Sequence, residues 1–322
     1  MASATVSLLS IFGTAILPIV ALAGVGYLLA RVTGVEADGL NTITIYVLAP
    51  ALVFHSIATT ELGARTLAAV GVGVLLFTAV MAVVAEGVGR GLGEPEPLLG
   101  SLVLVSIFAN AGNYGIPVSE FAFGEVGRAT AVVYIAAQSV AMYTLGVYLA
   151  ARGDGRDVRE GLTTVFTIPL VYAVLAAILL RTLGAVPPAD TAAMETVGLV
   201  GDSAIPVMLL ILGIELATTK LGTATFRVTP AVVLKMAVAP VVGVAVALLV
   251  GFDNPDVARV FVLECAMPSA VTTLILTGEF SGPAAGDIEA TDYASTTIFA
   301  TTVLSVPMLT GLIALLQAGV IF

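Results

Sequence analysis

Charge, lysine, histidine and cysteine are all scarce in this chain. Only 11% of its 322 residues are charged, far below the soluble average of about 25%, while 59% are hydrophobic. That balance excludes a soluble globular domain, and the mean hydropathy of +1.10 agrees. Lys220 and Lys235 are the two lysines among twelve basic residues, and the formal charge is −10. An acidic chain without basic clusters has no electrostatic footprint for nucleic acid. The lone His55 excludes a His-Glu-x-x-His zinc site. The lone Cys265 excludes an intrachain disulfide and a thiolate metal cluster. No Gly-x-x-x-x-Gly-Lys phosphate loop occurs, so ATP-driven pumping would need a partner. Two facing membrane aspartates are also missing, with Asp202 standing alone, which argues against an intramembrane enzyme.

What the chain has is apolar runs of about 20 residues, the length that crosses a bilayer as a helix. Glycine and proline inside them, without alternation at period two, favour a helical bundle over a barrel. The runs predict ten spans: 8–30, 41–57, 67–88, 97–123, 129–150, 163–183, 191–217, 230–250, 256–280 and 293–318. The first imitates a signal peptide, with Ala21-Leu22-Ala23 as a cleavage site. It lacks a basic start and stays apolar to Ala30, so it is expected to be retained.

The fourth span is interrupted by Asn110, Gly112, Asn113, Gly115 and Pro117. Backbone that leaves the helix inside hydrocarbon exposes N–H and C=O groups, each costing several kcal/mol unless satisfied, at roughly the scale of polar burial. A tolerated break therefore marks a cavity. Pro18, Pro50 and Pro117 recur as Pro169, Pro206 and Pro268 at offsets of 151, 156 and 151 residues. These offsets, on either side of a charged seam, predict two five-helix repeats, residues 1–151 and 161–322, joined by a cytoplasmic linker at 152–160. Because five is odd, the second repeat is inverted, so the broken fourth span and its counterpart can meet at the bilayer midplane. Arg31, Arg90, Arg152, Arg156, Arg159, Lys220 and Arg227 fall in loops after odd spans; Arg65, Arg128, Arg181 and Arg259 fall after even ones. The basic excess puts the odd loops in the cytoplasm and both termini outside a cell-membrane protein.

Asn110-Ala-Gly-Asn-Tyr-Gly-Ile-Pro117 resembles the fourth-helix motif of the auxin efflux carrier family, which includes plant auxin exporters and bacterial carriers of malate and malonate. Pro50-Ala-Leu-Val-Phe-His55 is similar to the second-helix motif of the plant members. The stretch from Ile205 to Gly213 and Ala266-Met-Pro-Ser-Ala270 are similar to patterns of microbial members. The likeness spans nearly the whole chain. It implies an all-α integral membrane protein of ten helices in two inverted repeats, with the fourth and ninth helices broken and crossing at their prolines, the architecture shared with bile-acid symporters and sodium–proton antiporters. It also implies an elevator movement, with spans 3–5 and 8–10 moving against a scaffold of spans 1, 2, 6 and 7, and a homodimer through spans 2 and 7. The long cytoplasmic loop of many plant members is absent.

The free N–H groups of half-helix N-termini, expected near Val118 and Ser269, favour carboxylates. Asn110 adds two donors and an acceptor without burying a charge. Its alternative is to satisfy carbonyls freed by the break. Asn113, Pro117, Gln138, Pro268, Ser269 and Thr272 complete the expected substrate site. Glu264 lies four residues before Pro268, as Asn113 does before Pro117. An acid near the bilayer midplane is a functional candidate by default. It can be a sodium ligand, with Asn113, Gln138 and Ser139 completing an oxygen shell, a proton carrier, or a structural acid. Lys235 can attract the substrate, pair with Glu264 or snorkel. The leading expectation is a secondary carrier of small organic anions, auxin-like or dicarboxylate, with no cofactor beyond optional sodium or proton coupling. The competing one is a cation-coupled antiporter or symporter of the same architecture. A receptor or structural bundle would have no use for polar broken helices.

Overall fold

The protein is described here by a computed structural model covering residues 12–150, 169–218, 226–281 and 288–322. The expected linker at 152–160, its three arginines, Lys220 and the beginnings of the first and sixth spans lie outside the described residues.

The described chain is helical, with no strand among the described residues. Its helices are α1 (Leu17–Thr33), α2 (Asp38–Thr59), α3 (Ala64–Gly91), α4 (Leu98–Ile107), α5 (Ala111–Ala150), α6 (Pro169–Thr182), α7 (Ala192–Thr218), α8 (Thr229–Val250), α9 (Pro255–Cys265), α10 (Thr272–Phe280) and α11 (Ala290–Gln317). Six of them, α2, α3, α5, α7, α8 and α11, are long and apolar enough to cross a membrane. The fourth and fifth expected spans are two helical stretches joined by a sharp kink. They run together through α5, turned at Gly124, whose φ of 62° and ψ of −144° suit a residue without a Cβ.

Four of the prolines in these helices share one solution. A proline lacks the N–H for its own helical bond, and its ring clashes with the carbonyl four residues back. Pro18, Pro50, Pro117 and Pro240 each follow a widened π turn, at Phe12–Ile16, Thr44–Leu48, Ala111–Gly115 and Leu234–Val238. The extra residue in each turn moves the offending carbonyl aside, so the helix continues through the proline.

In lipid the chains around a helix are as apolar as leucine, so close backbone approach supplies much of the packing. The contact of α1 with α7 is built this way. A Cβ on Gly213 would overlap the carbonyl oxygen of Ala23, and one on Gly26 would overlap that of Leu210. Gly73 meets the Phe261 ring, whereas Gly24 and Gly71 face open space. Helix α2 packs on α6 and α7, where His55 lies against Gly198. Helices α3, α4, α5, α8, α9 and α11 pack among themselves. Every residue of α4 is buried, and α9 is buried from Val260 onward. A helix apolar on all sides belongs in the middle of a bundle, and both of these central helices end in a break.

Candidate functional site

Helix α4 stops at Ile107, and the chain is extended at Phe108, with φ −95° and ψ 121°. It becomes helical again at Ala111. Helix α9 stops at Cys265, and α10 starts at Thr272. The two interruptions meet as a short antiparallel pair centred on Ala109 and Ser269. Asn110 N donates to Pro268 O at 2.7 Å, and Ala270 N donates to Phe108 O at 3.0 Å. Each break thus satisfies part of the other's backbone demand, which water cannot do inside a membrane.

Neighbouring side chains supply more. Gln138 Nε2 donates to Ala109 O at 2.8 Å, and its Oε1 accepts from Ala109 N at 3.0 Å. On the other side, Ser269 N donates to Thr301 Oγ1 at 3.2 Å, while Ser269 Oγ donates to Val105 O at 2.6 Å. One polar residue from α5 and one from α11 therefore act as extra strand partners.

The crossing does not fall at both prolines, where the family resemblance puts it. Ala109, eight residues before Pro117, pairs with Ser269, one residue after Pro268. Pro117 lies within α5, because the wide turn Ala111–Gly115 absorbs its ring and Gly115 N reaches back to Asn110 O at 2.9 Å. The half-helix starts are accordingly Ala111 and Thr272, rather than Val118 and Ser269. Asn113 sits inside the wide turn and is partly exposed. Asn110 occupies the position just before that turn and is 7% exposed. Its Nδ2 is buried without a hydrogen-bond partner. An orphaned amide donor next to the positive end of a half-helix is a place where a carboxylate oxygen gains two kinds of stabilisation at once.

Glu264 and Lys235 are both fully buried at this crossing. Glu264 Oε1 accepts from Ser119 Oγ at 2.5 Å, and its Oε2 has no partner. The carboxylate packs so tightly against Gly115 that a Cβ there would overlap it. Lys235 Nζ donates to Cys265 O at 3.5 Å and lies 6.0 Å from the Phe77 ring centroid. It does not snorkel. The acid thus faces the first turns of α5, and the amine faces the last turn of α9, the helix ends that favour negative and positive groups respectively. Ser139 Oγ donates to Ile135 O within its own helix, and Thr273 Oγ1 donates to Ala270 O, in the break just ahead of α10. Thr272 opens α10, partly exposed.

A cavity of about 480 Å³ adjoins the wide turn on the side of α1, α7 and α11. Tyr114 forms part of its wall, with Tyr27, Leu212, Thr302 and Val306. Its volume falls in the range of small-molecule sites. The Tyr114 hydroxyl lies 3.2 Å from Ser305 Oγ. Asn110 is not in the cavity wall.

A family profile described as membrane transport protein matches residues 11–313. This chain belongs to that family. The resemblance to auxin efflux carriers is borne out by that match. The membrane transport protein is 26% identical, over 75% of its length and 79% of the relative's, to an uncharacterized transporter of Methanocaldococcus jannaschii. It is 26% identical, over 90% and 93%, to an uncharacterized transporter of Methanothermobacter thermautotrophicus. A Rhizobium meliloti protein named "Putative malonate transporter" is 23% identical over 94% and 95%. The membrane transport protein is a multi-pass membrane transporter and not an enzyme.

Several residues at the crossing escaped the sequence reading. Ser119 lies two residues past Pro117 with no local mark. Thr301 had a signal, since Thr297, Thr301 and Ser305 repeat at four-residue spacing and all are buried. Glu215 of α7, whose Oε1 accepts from Asn41 Nδ2 at 3.4 Å, is a further acid inside a membrane-length helix.

Proposed function

We propose that this transporter is a secondary carrier of small organic anions, which dock a carboxylate at the crossing of the two interrupted helices. The observation that carries the reading is the buried, partnerless Nδ2 of Asn110 beside the first turn of α5. The relative named for malonate favours a dicarboxylate, and an auxin-like acid would offer the same carboxylate. Asn110 is the primary contact in this reading. Asn113, Pro117, Pro268 and Thr272 shape its surroundings, while Gln138 and Ser269 hold the backbone around it.

The movement proposed is of the elevator type. The ten spans are α1, α2, α3, α4 with the start of α5, the rest of α5, α6, α7, α8, α9 with α10, and α11. They form inverted repeats at 1–151 and 161–322 around a cytoplasmic linker, with both termini external. Spans 1, 2, 6 and 7 form the scaffold and, through spans 2 and 7, a homodimer. The backbone contact of α1 with α7 at Gly26 and Gly213 supports a rigid scaffold, and the mutual packing of α3, α4, α5, α8, α9 and α11 supports a separate moving body.

The test is uptake of labelled malonate and indole acetate into proteoliposomes by the wild type and Asn110→Ala. Saturable uptake of either acid, weakened in the variant, supports the reading. Uptake undiminished by Asn110→Ala overturns the assignment of the site.

A second reading is favoured by Glu264, whose buried Oε2 lacks a partner. In it the carboxylate, with Asn113, Gln138 and Ser139, holds a sodium ion or carries a proton that drives transport. A carrier working in this way loses its response to an imposed sodium or proton gradient in Glu264→Gln. A gradient response unchanged in that variant removes the reading.

A further inference from the structure

A second and larger cavity, about 670 Å³, lies between the end of α2, the start of α3, the latter half of α5, and α6. Apart from Arg181 and Thr182 every residue of its wall is aliphatic, Leu67, Ala137, Val174 and Ile178 among them. Arg181, in the last turn of α6, is placed by two hydrogen bonds. Nη1 donates to Ile57 O at 2.7 Å, and Nη2 donates to Leu62 O at 2.8 Å. These bonds take two of five guanidinium N–H donors. No carboxylate of the described residues pairs with it.

The result is a fixed cation, without a carboxylate partner among the described residues, at one end of an apolar groove. Helix α6 ends one residue later, and the chain continues through Gly184, Pro187 and Pro188, so Arg181 stands at the boundary of the span. Leu175 and Ile178 of the wall are 58% and 40% exposed, so the groove is open along the apolar outer side of α6. A short dicarboxylate would meet one cation and no second polar partner there. A molecule with one anionic head and a long apolar tail would satisfy both ends of the site.

We propose that this cavity holds an acidic phospholipid, with an acyl chain along the aliphatic wall and the phosphate on the free N–H groups of Arg181. The site is separate from the helix crossing and does not depend on how substrate binds there. A basic residue at a lipid surface attracts an acidic headgroup by about 1 kcal/mol, which corresponds to about a fivefold preference over a zwitterionic lipid.

The experiment is native mass spectrometry of the full chain released from nanodiscs of equal phosphatidylglycerol and phosphatidylcholine. The wild type is expected to retain phosphatidylglycerol about fivefold more often, and Arg181→Gln to lose that preference. Because Arg181 also holds two carbonyls, Ala137→Phe serves as the second variant. It fills the groove without touching those bonds, and it too is expected to lose the retained lipid while its melting temperature shows it folded. Equal retention of the two lipids by the wild type overturns the proposal. So does an unchanged preference in both variants, or retention of added decanoate in place of phosphatidylglycerol.

Discussion

Gln138 and Ala109 are joined by a reciprocal pair of hydrogen bonds, the side-chain amide standing in for a third strand beside the broken helix. Both atoms of the Gln138 amide are thereby directed at the backbone. Gln138→Leu would leave a buried N–H and a buried C=O without partners, at about 1–3 kcal/mol each. We expect a clear fall in melting temperature of the detergent-purified, substrate-free protein. If Gln138 instead served the substrate alone, the same variant would lose uptake at an unchanged melting temperature.

Asn110 gives the opposite expectation. Its Nδ2 bonds to nothing in the protein, so Asn110→Ala should leave the melting temperature nearly unchanged. A hydrogen bond to a charged group contributes about 1.5–3 kcal/mol, and every 1.4 kcal/mol is about tenfold in affinity. The Kd for the carboxylate should therefore rise by about ten- to a hundredfold, measured by calorimetry on the purified carrier. Asn110→Asp, which sets a like charge against the carboxylate, should weaken binding further still.

The contrast between these two residues shows what the sequence could and could not disclose. Apolar runs announced the spans, and the polar cluster from Asn110 to Pro117 announced a break, because both are local in the chain. Where the break falls was not local. Phe108 and Ala109 are not helix breakers; they are drawn out of the helix by Pro268 and Ala270, some 160 residues away, and held by Gln138. Pro117, the strongest local breaker, is absorbed by a widened turn and stays helical. Glu264 was visible as a lone acid in an apolar run, yet its partner Ser119 depends on how α5 lies against α9. Proline spacing suggested the repeat, whereas the crossing at the prolines, implied by the resemblance, lies at Ala109 and Ser269 instead.

Arg128 and Asp202 tie α5, just beyond its turn at Gly124, to α7, with Nη1 and Oδ1 2.6 Å apart. The Asp202 side chain is 60% exposed, so the pair should add less than about 1 kcal/mol to stability. Asp202→Asn should leave melting nearly unchanged. The pair joins the proposed moving body to the proposed scaffold, so tethering it should stop transport. The native Cys265 is buried, which leaves introduced thiols at 128 and 202 as the accessible ones. A cleavable bifunctional thiol linker between them should abolish uptake, and cleavage should restore it. Full uptake by the cross-linked protein would mean that α5 and α7 do not move apart during transport.

Gly115 is the tightest test of the charged part of the crossing. A Cβ there would overlap Oε2 and Cδ of Glu264, and the carboxylate cannot retreat without losing its bond to Ser119. Overpacking of a buried site costs typically about 1–3 kcal/mol, and we expect Gly115→Ala to lower the melting temperature accordingly. Combining it with Glu264→Ala removes the obstructing side chain and should recover most of that loss. The recovery is what identifies the contact, since two independent lesions would add. If coupling to a cation also runs through Glu264, Gly115→Ala should impair the gradient response even where the protein remains folded, whereas the more distant Gly26→Ala should affect stability alone.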